Sequence, residues 1–181
     1  MTIDSFCQRF AANLADISEK DFAAAAAGEI AGCFGAEPHE IGLFQIDSTG
    51  RFAVFRWPLQ RLDSLITIPI KSFASSLISA TARDRRATVD NAFAGTRHLF
   101  IYEQALAEKE QRLTVQKIMS APVVAGGQLA WIIQVTRKGL TAEEAGPDFT
   151  ATDLEHLERI SATFADIAPT AARGSSVPHS V

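Results

Sequence analysis

Lys117-Ile-Met-Ser-Ala-Pro-Val-Val124 and Gln128-Leu-Ala-Trp-Ile-Ile-Gln-Val135, joined by Ala125-Gly-Gly127, decide how this chain folds. Both runs are rich in apolar and β-branched residues, which suit a pleated, half-buried surface. The glycines between them supply the backbone freedom a tight reversal needs, so the pair predicts an antiparallel hairpin. Pro122 has no N–H to give a ladder, and is expected at a sheet edge or a bulge.

Towards the C-terminus, Thr136 to Pro147 reads as a polar loop. Thr150-Ala-Thr-Asp-Leu-Glu155 then offers two overlapping capping boxes, Thr150 with Asp153 and Thr152 with Glu155. The helix they open carries Leu157, Ile160, Phe164 and Ile167 on one stripe and runs to about Ala168, where Pro169 stops it. Residues 169–181 are small and polar, with nothing to bury, and are expected to be a disordered tail.

Towards the N-terminus the pattern is mixed. Ala92 to Gly95 reads as loop, while Leu99, Tyr102, Leu106 and Leu113 suggest a helix across a charged stretch. Ala87-Thr-Val-Asp90 is a very short strand. Before it, Ser72 can cap a helix bearing Phe73, Leu77 and Ala80, which Arg83-Asp-Arg-Arg86 would close. Leu65-Ile-Thr-Ile-Pro-Ile70 is a further strand. Ile41-Gly-Leu-Phe-Gln-Ile46 and Arg51-Phe-Ala-Val-Phe-Arg-Trp57 form a second hairpin around Asp47-Ser-Thr-Gly50. Ahead of these lie two helices. One carries Ile3, Phe6, Phe10, Leu14 and Ile17. The other spans Glu19 to about Phe34, with Ser18 as N-cap, an alanine run from Ala23 to Ala27, and Gly35 and Pro38 beyond its end.

Composition removes several function classes. The 181 residues carry 17 basic and 21 acidic side chains, a net charge of −4, so no large positive field draws nucleic acid or an anionic membrane. Two cysteines, Cys7 and Cys33, build neither a disulfide scaffold nor a zinc cage. No apolar run approaches the roughly 18 residues of a membrane span, and Met1-Thr2-Ile3-Asp4 does not begin a signal peptide. A cytoplasmic location is expected.

Hairpins with helices gathered around them read as α+β, with an antiparallel sheet of about five to six strands and helices on one side. The ordered run from Ile118 to Lys138, then Phe149-Thr-Ala-Thr-Asp153 and the last helix, resembles the GAF domain family, itself related to PAS-type sensor folds. Thr67 to Asp90 also fits that family's middle strand, helix and short strand. The resemblance covers about residues 20–168. It implies an N-terminal helix over 1–18 for dimerisation or packing, a GAF-like domain over 19–168, and N- and C-terminal helices forming a bundle.

It also implies places to look for chemistry. The nucleotide-binding signature of some GAF domains is only partly present, because Arg137 and Leu154 stand where that signature has Asn and Glu. Phe149 is therefore read as packing and Thr150 as capping. Neither cysteine falls in the region of the family's pocket, which opposes both bilin attachment and a thiol enzyme. The segment after the short strand commonly covers the ligand cavity in such folds, so Asp90, Asn91, Arg97, His98 and Tyr102 are expected to supply polar contacts. Phe44, Phe55, Trp57 and Trp131 would supply apolar walls, since pockets combine the two kinds of group.

The expected function is non-catalytic: a small-molecule sensor or a regulatory protein-interaction module, with no metal and with the cofactor unknown. A homodimer through the terminal helices is expected, with a separate effector protein to carry the signal. The rival readings are a redox enzyme resembling free methionine sulfoxide reductase and a ligand-free assembly domain.

Overall fold

Ser18 behaves as its position asks: its hydroxyl accepts the Asp21 N–H and starts helix α2 at Glu19–Phe34. Gly35, at φ 60°, ends the helix in the left-handed conformation that costs glycine little. Helix α1, Ile3–Leu14, precedes it. The computed structural model describes residues 2–58, 67–70, 76–95 and 113–169. The expected helix around Leu99 to Leu113 therefore lies almost wholly outside the described residues, as do the Ser72 cap and residues 170–181.

Strands β1 (Ile41–Ile46), β2 (Phe52–Trp57), β3 (Thr67–Pro69), β4 (Thr88–Asp90), β5 (Thr114–Ala125) and β6 (Gln128–Gly139) form one sheet in the order β3-β2-β1-β6-β5-β4. Every pairing is antiparallel. Asp47 fixes the β1–β2 turn by accepting the N–H groups of Arg51 and Phe52 and the Thr49 hydroxyl. Strands β5 and β6 both outrun the sequence expectation. Residues 136–139, read as loop, continue β6 because Thr136 gives its hydroxyl to the Glu40 carbonyl and the Lys138 N–H bonds the Glu40 carboxylate. Pro122 lies beyond the stretch of β5 that β4 pairs, Ile118–Ser120, so its missing N–H breaks no ladder there.

Helix α3 spans Leu77–Asp84, and the Ser76 hydroxyl caps it by accepting the Ser79 N–H. Helix α4 spans Ala151–Ile167 and opens with the Thr150–Asp153 capping box, one of the two that the sequence offered. The helices do not all lie on one side of the sheet. Helices α1, α2 and α4 bury Phe6, Phe10, Ile30, Leu157 and Phe164 against Leu43, Met119 and Ile133. Helix α3 packs Ile78 and Ala82 on the opposite face, with Phe44, Phe55, Ile118 and Ile132. Alternation along the strands divides the two sets, because neighbouring strand residues point to opposite faces.

The terminal helices meet within one chain. The Phe10 and Phe164 rings stack at 6.3 Å, Phe22 meets Phe164 edge-on at 5.4 Å, and Arg159 pairs with Asp4. Of the two apolar stripes, Phe6, Phe10, Leu14, Leu157, Ile160 and Phe164 are thus buried within one chain, while Ile17 stays exposed. Lys117, its side chain buried, ties the loop before α4 to the sheet through the Gly146 carbonyl (2.6 Å) and Asp148 (2.7 Å).

Candidate functional site

The face opposite α1, α2 and α4 is built in rows. Phe44 and Phe55 sit side by side there, ring centroids 4.9 Å apart, with Ile132 opposite Phe44 and Pro122 opposite Ile132. The next row is polar: Gly42 faces Gln134, Gln134 faces Ser120, and Ser120 faces Thr88. A third row holds Asp90, Ile118 and Thr136.

Helix α3 closes over the middle row. Thr81 gives its proton to the Leu77 carbonyl at 2.8 Å, and its oxygen lies 2.8 Å from the Ser120 hydroxyl. A hydroxyl has one proton, so Ser120 donates to Thr81 and accepts from Gln134 Nε2 at 3.3 Å. Thr81 and Gln134 are 2% exposed and Ser120 is fully buried. Leaving one such group unpaired costs about 1–3 kcal/mol, so the chain of bonds holds all three rotamers together. The row is neutral and polar, with an apolar aromatic row beside it. That combination suits a small molecule with an apolar body and hydrogen-bonding substituents.

The residues expected at the site separate. Phe44 and Phe55 lie on this face, but Trp131 and Trp57 lie on the helix-packed face and do not line a common wall with them. Trp131 follows from alternation with Ile132. It meets Phe164 edge-on at 5.5 Å, and its N–H is taken by the Pro169 carbonyl. Trp57 would share a face with Phe55 but for a bulge, which pairs Leu43 with Trp57 and Phe44 with Phe55. Its indole N–H donates to the Pro38 carbonyl at 2.8 Å.

Asp90 ends the third row and accepts the Ala92 N–H, a turn bond. Asn91 clamps the start of α4, accepting the Phe149 N–H (2.9 Å) and donating to the Phe149 carbonyl (3.0 Å). Arg97, His98 and Tyr102 lie outside the described residues. Phe149 is buried under the Arg137 guanidinium, 4.7 Å above its ring, which gives the partial signature a structural role.

Thr81, Ser120 and Gln134 escaped the sequence reading, although a signal existed. Ser120 and Gln134 are the polar residues inside the apolar stretches Ile118–Val124 and Leu129–Val135. Their juxtaposition depends on a register shift: Val124 pairs with Leu129 but Val123 with Trp131, skipping Ala130. Without that skip, Ser120 would face Ile133.

Both cysteines lie elsewhere. Cys7 is buried in α1, and Cys33 in α2 packs against the same helix-side core. Burial raises the Cys33 thiol above its ordinary value, with Cys7 and Asp153 adding to the rise and Arg9 opposing it. A reactive thiolate needs the opposite shift.

No family model matches this chain, and no curated protein matches it in sequence. Solved structures match its fold. The GAF domain of an Acinetobacter phosphoenolpyruvate-protein phosphotransferase is 9% identical at a TM-score of 0.64, with 90% of each chain covered. A putative GAF sensor protein from Burkholderia vietnamiensis is 14% identical at a TM-score of 0.60, with 92% of each covered. The free methionine-R-sulfoxide reductase of Neisseria meningitidis, solved with its substrate, is 15% identical at a TM-score of 0.62, with 91% of this chain and 86% of that one covered. The chain has the GAF-type α+β fold. Among the described residues no helix is long and apolar enough to cross a membrane.

Proposed function

We propose that this chain is a non-catalytic GAF-like domain that senses a small molecule on the sheet face opposite α1, α2 and α4. The observation that carries the reading is the buried Thr81–Ser120–Gln134 chain beside Phe44 and Phe55. A row of neutral polar groups inside an apolar layer does little for stability that apolar residues of the same shape would not do. We read it as the polar side of a ligand site whose apolar side is Phe44 and Phe55.

The position of the thiols favours sensing over redox chemistry. Both sit on helices α1 and α2, across the sheet from Ser120. The signal would reach an effector protein, and any association between copies would use a surface other than the Phe10–Phe164 seam, already filled within the chain.

The test has two arms. Thermal-shift screening against small neutral metabolites should give hits that stabilise the wild type and fail on Ser120→Ala. Dithiothreitol-dependent reduction of free methionine sulfoxide should be absent. Turnover that is lost in Cys33→Ser would overturn the non-catalytic reading, and hits indifferent to Ser120→Ala would move the site elsewhere.

A further inference from the structure

We propose that an open groove at the β5 edge is a second binding site, for a small molecule presenting a carboxylate or phosphate group. It opens at the β5 edge beside α4, and of the row that holds Phe44 and Phe55 it shares only Pro122. Arg85, Arg86 and Ala87 form one wall, Glu158, Ser161 and Ala162 of α4 the other, and Ala121, Pro122 and Val124 the floor. Its volume is about 650 Å³, within the roughly 300–1,000 Å³ of small-molecule sites.

The groove exists because β4 stops short. It pairs β5 only through Ile118–Ser120, and β5 continues to Ala125. Pro122 stands in that continuation without an N–H, which makes it a poor template for an added strand. A small molecule held by side chains fits this edge better than an extended peptide.

Ser161 supplies the polar deficit. It is 4% exposed, and its hydroxyl has no hydrogen-bond partner among the described residues. Thr163, on the same helix, shows the usual solution, its hydroxyl donating to the Arg159 carbonyl. A buried hydroxyl without a partner is unfavourable, and a ligand oxygen brought to this wall relieves it after a turn about the Ser161 Cα–Cβ bond.

The charge comes from the other wall. Arg85 is a non-glycine residue at φ 49°, fixed there by its N–H bond to the Thr81 carbonyl. Its Nη1 also donates to the Gly127 carbonyl at 3.1 Å, which orients the guanidinium. Arg86 is exposed beside it, while Arg83 is engaged with Asp84 at 2.8 Å. Guanidinium groups present paired donors that match carboxylate and phosphate oxygens. Glu158 across the groove sets the sign of the far side, so the ligand carries its anionic group at one end and is not a polyanion.

Calorimetric titration of the full chain at low ionic strength, with inorganic phosphate and with butyrate in separate arms, tests this. Saturable binding of one or both is expected, and the arm that responds assigns the head group. Arg86→Gln should weaken it by about tenfold, while Arg51→Gln, in the β1–β2 hairpin, should leave it unchanged. Ser161→Ala should weaken binding yet raise the melting temperature of the free protein, because it removes the unpaired hydroxyl. Absence of saturable binding, or equal affinities in Arg86→Gln and Arg51→Gln, would overturn the proposal. Neither outcome bears on Ser120 and the opposite face.

Discussion

Replacing Phe164 by alanine removes the ring that joins three elements. Phe164 is fully buried, and its ring meets Phe10 of α1 at 6.3 Å, Phe22 of α2 at 5.4 Å and Trp131 of β6 at 5.5 Å. Truncating a buried phenylalanine costs about 3–5 kcal/mol, the sum of lost transfer energy and the cavity left behind. Aromatic pairs contribute about 0.5–1.5 kcal/mol each beyond area, which places this site towards the upper end. For a domain of this size each kcal/mol lowers the melting temperature by about 2–4 °C, so Phe164→Ala should melt about 10–15 °C earlier. Urea melts followed by tryptophan fluorescence suit the case, because Trp131 is itself in contact with the ring. A loss below about 1 kcal/mol would refute the packing described, since cavities of this kind do not cost so little. A midpoint that rises with protein concentration would instead place Phe164 between two copies.

Two further outcomes follow from the same reasoning. Burial alone would raise the Asp47 carboxyl, but the Thr49 hydroxyl and the N–H groups of Phe52, Arg51 and Thr49 outweigh it and hold the group below its ordinary value of 3.8. Its stabilisation is therefore fully present above that value and is lost as pH falls through the lower folded-state pKa. Asp47→Asn should show its stability deficit at neutral pH and lose it in acid; a deficit constant with pH would contradict the assignment. Gly139 has no room for a side chain, since a Cβ would lie 2.7 Å from Ala145 N and 2.8 Å from Thr141 O, whereas one on Gly28 in α2 would meet nothing within 4 Å. Gly139→Ala should destabilise by about 1–3 kcal/mol, and Gly28→Ala should stabilise by about 0.5–1 kcal/mol. Urea melts in the opposite order would refute both readings.

The strands, the Ser18 and Thr150 caps and the Gly35 terminus were legible because each rests on local chemistry that a few neighbouring residues settle. The faces were less so. Phe55 and Trp57 are two apart and look equivalent, until a bulge absorbs one residue and turns Trp57 to the other side. Trp131 and Ile132 are equally apolar, so nothing local says which faces the helices. The site suffered most, because the Ser120–Gln134 pairing depends on Ala130 being skipped, and Thr81 arrives from a helix 39 residues away in sequence. The helical stripes were read correctly as apolar seams. Periodicity alone did not say what those seams pack on; within the chain, Phe10 of one meets Phe164 of the other.

The central claim is that a small molecule binds on the sheet face that bears Phe44 and Phe55, beside the Ser120–Gln134 row. The most direct measurement is the set of nuclear Overhauser contacts between a screening hit and the methyl groups of the labelled protein. Contacts to Ile78, Ile118 and Ile132, which share that face, are predicted. Contacts confined to Ile133, Val135 and Ile160 on the helix-packed side, or none to either set, would contradict the account.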